Sequence, residues 1–515
     1  MRRNGAVALA LFLCSGILVM LSPPAWAVPA FARRYGTTCS TCHTSWPALN
    51  STGMYFKLSG YRRLNGEDLK PTTQDIELAM GALSIPSIPP LALTVSTGFD
   101  YESIRRRAAD DSRASQSGNS LDLNNATLFV ATPLGKNLSA FFEFPLFETK
   151  APANDFPTGP SGANATDVTS KRDLTFESEV TGFEMGKMQW NSLLPESIGP
   201  LDSLNLKAGV DQLPLGFSAE ANRMSIRNYL IYRRRALDLL SPTQTDEVVA
   251  ASNEADRLNR LGEPQLQVAL NGVLVLKGRP TDLGKFETPA IDYEVGITNG
   301  SNNNAAPRTE KDFFGHLALA WFGQRFGFFG YYSPDIYDDN QRADGSITNG
   351  GVLSGQQLAN RTYAFGPDVT LSLEPLDIPV WLETQVLFNR EGDPTGFKKP
   401  FSWWGGFGQI NGKAPVRAKF LQWITAYARY EWLRGDRFND IPAGGVTGII
   451  RPREWQVVAG LQWFILENLK IVTEFSRRQF ENNQPAATLA TAPDLLPHHQ
   501  RLTDDFFAVR AAIGF

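Results

Sequence analysis

Apolar and polar residues alternate through most of the chain after about residue 90, and this period of two constrains the fold most. Successive side chains of a β-strand point to opposite faces, so the alternation predicts strands with one apolar and one polar face. The clearest example runs from Trp455 to Ile465, turns at residues 466–468 and continues to Phe475. Trp455 and Trp463 lie toward the ends of its apolar face. We interpret it as a strand pair with lipid outside and a lumen inside.

About sixteen candidate strands follow from this pattern. They begin near residues 91, 121, 138, 181, 201, 264, 287, 312, 325, 361, 378, 401, 416, 453, 469 and 505. The short links between them are 133–137, 323–324, 374–378, 412–415 and 466–468. The long polar links include 104–119, 149–172, 216–262, 334–360, 434–452 and 481–502. A strand of a soluble sandwich also alternates, but short turns that alternate with long loops are typical of an outer-membrane barrel.

The sequence therefore predicts an all-β transmembrane barrel of about 16 antiparallel strands over residues 86–515. Its final strand alternates up to Phe515, the last residue, which resembles the assembly signal of bacterial outer-membrane proteins. With an even number of strands and a periplasmic C-terminus, the first strand also begins on the periplasmic side. A barrel of this size encloses a lumen wide enough for a channel or a plug.

The first 27 residues have the pattern of an export signal. Arg2 and Arg3 precede an uncharged apolar run over residues 6–21, and Ala25-Trp26-Ala27 supplies small residues around a cleavage site. We expect a cleaved signal peptide at 1–27 and a Gram-negative outer-membrane location. An uncleaved membrane anchor is the alternative, because the run is long for a signal.

Cys39 and Cys42 are the only cysteines after residue 27, and His43 follows them directly. C-x-x-C-H is the attachment pattern of c-type haem, in which two thiols add to the vinyl groups and the adjacent imidazole reaches the iron. A zinc site needs four ligands, and a redox CxxC usually lies in a βαβ context. The other histidines are distant: His316, His498 and His499. We expect one covalent haem c held by Cys39, Cys42 and His43, with His43 as an iron ligand.

A methionine is the expected sixth ligand of the iron, because Met opposite His raises the reduction potential. Met54 lies only 11 residues past His43, so the chain would have to reverse sharply; Met80 leaves room for a loop around the haem. We therefore predict Met80. Four arginines near the motif are candidate partners of the haem propionates: Arg33, Arg34, Arg62 and Arg63.

Residues 28–85 are too few for a generous independent core. Because they precede the first strand, they lie at the periplasmic mouth, where the lumen could supply the missing walls. We expect this haem-bearing helical segment to plug the barrel. The formal net charge of −4 gives no reason to expect nucleic acid as a partner.

Over about residues 29–61 the chain resembles the outer-membrane monohaem cytochrome–porin fusions, of which the iron oxidases of iron-oxidising bacteria are best known. The residues that carry the resemblance are Pro29 to Gly36, Cys39 to His43, Leu49, Asn50, Gly53, Phe56 to Leu58, Gly60 and Tyr61. The resemblance implies one haem on Cys39, Cys42 and His43, a barrel of about sixteen strands, and electron transfer across the outer membrane. Met54 stands where a variable, often basic residue is expected, which again favours Met80.

The expected function is oxidation of extracellular Fe(II), with a periplasmic c-type cytochrome as acceptor and outer-membrane lipid around the barrel. The activity would be that of an Fe(II):cytochrome c oxidoreductase without catalytic acid–base residues, since outer-sphere electron transfer depends on the cofactor. Two alternatives stay open: a porin for solute or ion uptake with a haem plug, and a redox conduit for another donor or acceptor.

Overall fold

The computed structural model describes residues 30–64, 67–68, 70, 75–78, 83–87, 90–108, 113–135, 137–150, 177–179, 185–195, 202–217, 223–236, 239, 261–277, 288–299, 311–334, 336–338, 357–359, 361–392, 400–418, 421–439, 449–482 and 499–514. The predicted signal peptide (1–27), Met80 and Phe515 lie outside these residues. In the described part of the chain, no helix is both long and apolar enough to cross a membrane.

The N-terminal part consists of short elements with little regular structure between them. They are helix α1 (Ala30–Tyr35), a 3-10 turn (Cys39–Thr41), β1 (His43–Ser45), β2 (Ala48–Leu49), helix α2 (Ser51–Leu58), β3 (Arg63–Leu64), β4 (Glu67–Asp68), β5 (Asp75–Leu78) and β6 (Leu83–Pro86). The strands pair locally as three hairpins, β1–β2, β3–β4 and β5–β6.

Seventeen strand segments then close into an antiparallel barrel. They are β7 (Leu91–Ala108), β8 (Arg113–Pro133), β9 (Leu138–Lys150), β10 (Glu177–Glu179), β11 (Met185–Trp190), β12 (Asn205–Asp211), β13 (Gln265–Val275), β14 (Ala290–Thr298), β15 (Asp312–Trp321), β16 (Gln324–Ser333), β19 (Thr362–Ser372), β20 (Val380–Glu391), β21 (Phe401–Ala418), β22 (Leu421–Gly435), β25 (Pro452–Leu466), β26 (Leu469–Asn482) and β27 (His499–Gly514). β10 and β11 both pair with β9, so they are two segments of one barrel strand. The described residues therefore form a barrel of sixteen strands. The predicted barrel fold and strand number are confirmed.

The remaining elements lie in the links between barrel strands. They are helix α3 (Leu230–Arg233), β17 (Ile336–Asp338), β18 (Gln357–Ala359), a 3-10 turn (Glu374–Leu376), β23 (Phe438–Asn439) and β24 (Ile449–Ile450). β17 pairs with β18 and β23 with β24, so two of the long links begin and end as hairpin extensions.

The two ends of the barrel differ. One end, here called the turn end, carries the links 134–137, 322–323, 373–379, 419–420 and 467–468. The first strand begins there at Leu91 and the last strand ends there at Gly514. The opposite loop end carries the longer links, such as 151–176 and 212–264. The N-terminal part therefore enters the barrel from the turn end, as the strand parity predicts.

The two faces of the wall have opposite chemistry. In β13, Gln265 and Gln267 point inward and are 1% and 2% exposed, whereas Leu266 and Val268 point outward and are 40% and 46% exposed. In this strand the lumen face is thus polar and the outer face apolar, the reverse of a strand in a water-soluble barrel. This is the side-chain pattern of a barrel that spans a bilayer. Elsewhere the lumen also holds a buried apolar cluster that includes Phe329 and Phe407 of the wall.

Three predicted links differ from the structure. β7 and β8 extend into the expected loop 104–119, because their polar ends continue the ladder with Arg107 opposite Arg113. The expected turn at 412–415 lies inside β21, which runs through Pro415 to Ala418. The expected outer loop 216–262 is also different, because its residues 223–236 fold into the lumen. There, carboxylates of the wall accept hydrogen bonds from their backbone amides.

Candidate cofactor site in the lumen

Residues 30–64, here called the plug, lie inside the barrel at its turn end. On one side, the carbonyl oxygen of Leu58 accepts hydrogen bonds from Gln189 at 2.7 Å and Asn205 at 3.3 Å. On the opposite side, Lys413 donates to the carbonyl of Thr44 at 3.0 Å and Lys470 donates to that of Trp46 at 2.7 Å. Backbone groups of the plug are therefore satisfied by lumen-facing side chains of both walls.

Aromatic residues form the small core of the plug. The ring of Phe31 stacks on Tyr61 with centroids 4.8 Å apart and meets Phe56 edge to face at 5.1 Å. Tyr35 donates its hydroxyl to the carbonyl of Tyr61 at 3.1 Å. Tyr61 in turn stacks on Phe141 of the wall at 6.1 Å. Four residues that carry the family resemblance are thus packing residues, and the barrel completes their core.

The arginines expected near haem propionates are engaged elsewhere. Arg34 pairs with Asp75 at 2.7 Å and hydrogen-bonds Thr132. Arg62 pairs with Asp202 of the wall at 3.2 Å, and both side chains are less than a tenth exposed. Arg33 donates to the carbonyl of Leu91. These arginines hold the plug to itself and to the wall; the side chain of Arg63 is outside the described atoms.

Cys39, Cys42 and His43 lie on one tight turn. Cys39–Thr41 forms the 3-10 turn, and the amide of Cys42 closes it on the carbonyl of Cys39 at 3.2 Å. His43 begins β1, which pairs with β2 opposite Leu49. The chain therefore reverses sharply after His43. The expectation that such a reversal would not occur, which disfavoured Met54 as a ligand, is wrong.

Helix α2 packs directly against this turn. Asn50 caps the helix by accepting from the amide of Gly53 at 2.9 Å, and its side chain donates to the carbonyl of Thr41 at 3.1 Å. The amide of Asn50 donates to the carbonyl of Cys42 at 3.0 Å. A Cβ at position 53 would lie 2.1 Å from that same oxygen, so only glycine permits the approach. Asn50 and Gly53 thus fix α2 against the cysteine–histidine turn.

The imidazole of His43 is oriented by the backbone, since its Nδ1 lies 3.0 Å from the carbonyl oxygen of Pro47. A carbonyl can only accept, so Nδ1 carries the proton and Nε2 keeps its lone pair. Burial lowers the pKa of His43 to about 4, which keeps the ring neutral at pH 7. A neutral imidazole with Nδ1–H on a carbonyl is the usual state of a metal-ligating histidine.

Cys39 and Cys42 are unbridged, half-buried thiols. The amide of Cys39 donates to the carboxylate of Glu467 in a turn of the barrel at 2.8 Å, which fixes the motif at the rim. Burial raises the pKa of both thiols to about 11, and Glu467 adds to the effect at Cys39. Two free thiols on one turn beside an oriented neutral imidazole fit covalent attachment of a c-type haem.

A second segment also occupies the lumen. The inward segment, residues 223–236, crosses from one wall toward the other between the loop end and the plug. Its backbone amides donate to wall carboxylates: Ile226 and Arg227 to Glu474 at 2.6 and 2.8 Å, Leu230 to Glu431 at 2.6 Å, and Ala236 to Glu391 at 2.9 Å. An irregular segment is stable in the lumen because the wall replaces the hydrogen bonds that water would make.

Ion pairs add to this attachment. Arg227 pairs with Glu102 at 2.5 Å and with Asp504 at 3.2 Å, and Arg234 pairs with Glu454 at 2.7 Å. From the wall, Arg429 donates to the carbonyl of Arg227 at 2.7 Å. The sequence gives no local signal for these contacts, because the partners are separated by 125 to 277 positions.

Gln462 joins the plug to the inward segment. Its amide donates to the carbonyl of Met224 at 2.6 Å, and its oxygen accepts from Ser45 of the plug at 3.3 Å. Ala48 and Met224 also share a buried apolar cluster with wall residues. In the described part of the chain, the two segments thus meet within the barrel and together narrow the lumen.

A cavity of about 420 Å³ lies between the plug and the inward segment. The plug contributes His43, Met54 and Lys57 to its lining, the inward segment contributes Tyr229, and the link after β12 contributes Phe217. Lys57 was not among the predicted site residues, because a lone lysine on a short helix carries no recognisable motif. Met54 shares the cavity with His43, and Met80 lies outside the described residues.

Zinc receives no support from the described residues, which contain no group of three or more His, Cys, Asp or Glu side chains arranged for a metal. His316 is bonded to Asp368 at 2.8 Å on the lumen wall.

No protein-family model matches the chain, and no curated protein matches it by sequence. Among solved structures, it is similar to an anion-selective porin from Comamonas acidovorans, with 10% identity, TM-score 0.43, and coverage of 82% of this chain and 99% of that one. It is also similar to the outer-membrane channel DcaP of Acinetobacter baumannii, with 9% identity, TM-score 0.43, and coverage of 86% and 100%. OprB of Pseudomonas putida matches at 8% identity and TM-score 0.40, with coverage of 82% and 94%.

Proposed function

We propose that this protein is an outer-membrane electron-transfer protein whose plug carries one c-type haem on Cys39 and Cys42, with His43 as an iron ligand. The observation that carries the proposal is the C-x-x-C-H turn inside the barrel, with its imidazole oriented by the carbonyl of Pro47 at 3.0 Å. When bound, the haem supplies one-electron chemistry. Cys39 and Cys42 attach it, and His43 offers Nε2 to the iron.

The apolar exterior supports an outer-membrane location, and the export-signal pattern in residues 1–27 agrees with it. In this location the turn end faces the periplasm. The plug then lies on the side where a periplasmic c-type cytochrome could approach the motif at Cys39 and the rim residue Glu467. The family resemblance over residues 29–61 favours extracellular Fe(II) as the donor. For this donor the activity is that of an Fe(II):cytochrome c oxidoreductase.

Transfer across the bilayer tests this proposal. The protein is inserted into sealed phospholipid vesicles that enclose an oxidised soluble c-type cytochrome, and Fe(II) is added outside without oxygen. We expect the enclosed cytochrome to be reduced, but not in vesicles that carry a Cys39→Ser/Cys42→Ser variant. A wild-type protein that contains haem but leaves the enclosed cytochrome oxidised would contradict the proposal. Other soluble donors and reversed gradients, tested in the same vesicles, distinguish a conduit for a different redox partner.

A porin for solute or ion uptake, in which the haem segment is only a plug, is the second candidate. The closed barrel favours it, because many buried polar side chains line the lumen and a polar lumen is the ordinary path of water-soluble solutes. The plug and the inward segment weigh against a wide path in the described residues. Single-channel conductance in planar bilayers separates the candidates: a porin gives steady ionic current in the wild type.

A further inference from the structure

Three lysines face one part of the cavity that His43 lines: Lys57 from the plug and Lys187 and Lys207 from the wall. Lys187 pairs with Asp211 at 2.8 Å, and Lys207 pairs with Asp211 at 2.7 Å and with Glu294 at 2.6 Å. Two carboxylates thus serve the two wall lysines. With all five groups ionised, the three lysines and two carboxylates have a net charge of +1, and Lys57 is the lysine without a paired carboxylate.

Lys57 makes no ion pair or side-chain hydrogen bond with any residue that the structure describes. Burial lowers its pKa to about 8, and the neighbouring charge of Lys187 acts in the same direction. The carboxylates of Asp211 and Glu294 act on the pKa of Lys57 in the opposite direction, but both are paired with the wall lysines. An anion in the cavity would offset the remaining cost of desolvating the ammonium of Lys57. The site therefore has the charge and the space for an anionic group.

The position of Lys57 relative to the cysteine–histidine turn is fixed. Gly53 touches the carbonyl of Cys42, and Lys57 lies four residues further along α2. Residues four apart lie on one face of a helix, about 6 Å along the axis. Lys57 therefore projects from the face of α2 that packs on the attachment site, about one turn beyond it. Both Lys57 and His43 line the same cavity.

We propose that Lys57 binds a carboxylate of the haem, a propionate, and holds that edge of the group in the cavity. This rests on the proposed function, because it requires a haem at Cys39 and Cys42. The sequence analysis proposed arginines as the partners of the propionates, but Arg34 is paired with Asp75 and Arg62 with Asp202. Lys57 replaces them in this role. Lys187 and Lys207 are engaged by Asp211 and Glu294 and therefore do not compete with Lys57 for the propionate.

The test compares Lys57→Gln, Lys57→Arg and a control, Lys70→Gln, at an exposed lysine outside the cavity. The pyridine haemochrome spectrum of each full-length protein first measures haem per chain. A redox titration of each holoprotein then gives the midpoint potential. We expect Lys57→Gln to lower the potential, because an unpaired propionate favours the ferric iron, and Lys57→Arg to stay near the wild type. Lys70→Gln should also leave it unchanged.

The outcomes separate an error in the proposed haem attachment from an error in the role of Lys57 alone. A wild type without haem overturns the proposed function and this inference together. Haem present in all proteins, with the same potential in Lys57→Gln as in the wild type, overturns only the role of Lys57. Repeating the titration with added sodium acetate separates a bound propionate from a free anion. If the wild-type potential depends on acetate and that of Lys57→Gln does not, Lys57 holds a free anion and the inference is wrong.

Discussion

The Nδ1 atom of His43 lies 3.0 Å from the carbonyl oxygen of Pro47, four residues along the same hairpin. This contact leaves Nε2 as the lone-pair nitrogen and aims it without help from another side chain. This orientation of the imidazole suits the role of iron ligand that we propose for His43.

We expect His43→Ala to retain covalent haem on the two cysteines while losing the iron ligand. The α band of the reduced protein should broaden and weaken, because the iron becomes high-spin or takes another ligand. Absorption spectra of the reduced and oxidised variant provide the measurement. A variant spectrum identical to that of the wild type would exclude His43 as a ligand.

Gly53→Ala should push α2 away from the turn, since its Cβ would lie 2.1 Å from the carbonyl oxygen of Cys42. Overpacking of this kind costs roughly 1–3 kcal/mol, and here the backbone must move. We expect less haem per chain, measured by the pyridine haemochrome spectrum. Gly408→Ala is the matched control, because a Cβ there meets nothing within 4 Å. Equal haem content in the two variants would show that the contact is unimportant.

Arg62→Ala should loosen the plug. It removes one partner of a buried pair with Asp202 and leaves that carboxylate in the lumen, at a cost of about 3–5 kcal/mol. We expect proteolysis within the plug to accelerate by roughly a hundredfold to a few thousandfold when it follows the population of undocked plug. The exposed pair Arg501–Glu481 supplies the control, since Arg501→Ala should cost under about 1 kcal/mol. Similar proteolysis rates in both variants would contradict docking through Arg62.

Glu474→Ala should release the inward segment, because Glu474 accepts from the amides of Ile226 and Arg227. Two buried amides without acceptors cost roughly 1–3 kcal/mol each. We predict a larger single-channel conductance than in the wild type, measured in planar bilayers. Glu481→Ala, on the same strand but in a partly exposed pair, should conduct like the wild type. An unchanged conductance in Glu474→Ala would mean that the segment does not narrow the lumen.

The strand pattern was readable from the sequence because lipid requires apolar side chains on the outward face of each strand within the apolar band. Each of the predicted strands has a counterpart in the barrel, and the hairpin through Trp455 and Phe475 has the predicted turn. The errors fall where lipid imposes no pattern. Beyond the apolar band, the ends of β7 and β8 and the region around Pro415 continue the ladder with polar or mixed residues.

The lumen was much harder to predict. Ser45 and Met224 both hydrogen-bond Gln462, which lies 417 and 238 positions from them in the chain. The C-x-x-C-H motif was visible because its pattern is local, with Cys39, Cys42 and His43 within five positions. Lys57 acquires its role only from the cavity, so no local pattern could single it out. The sixth ligand stays a prediction at Met80.

The most direct test of the account is the absorption spectrum of the purified, oxidised protein before and after anaerobic addition of Fe(II). We predict that a reduced c-type α band appears on addition and stays with the polypeptide after acid–acetone extraction. A band that appears only with dithionite would contradict Fe(II) as the donor. The absence of any haem band would contradict the electron-transfer function itself.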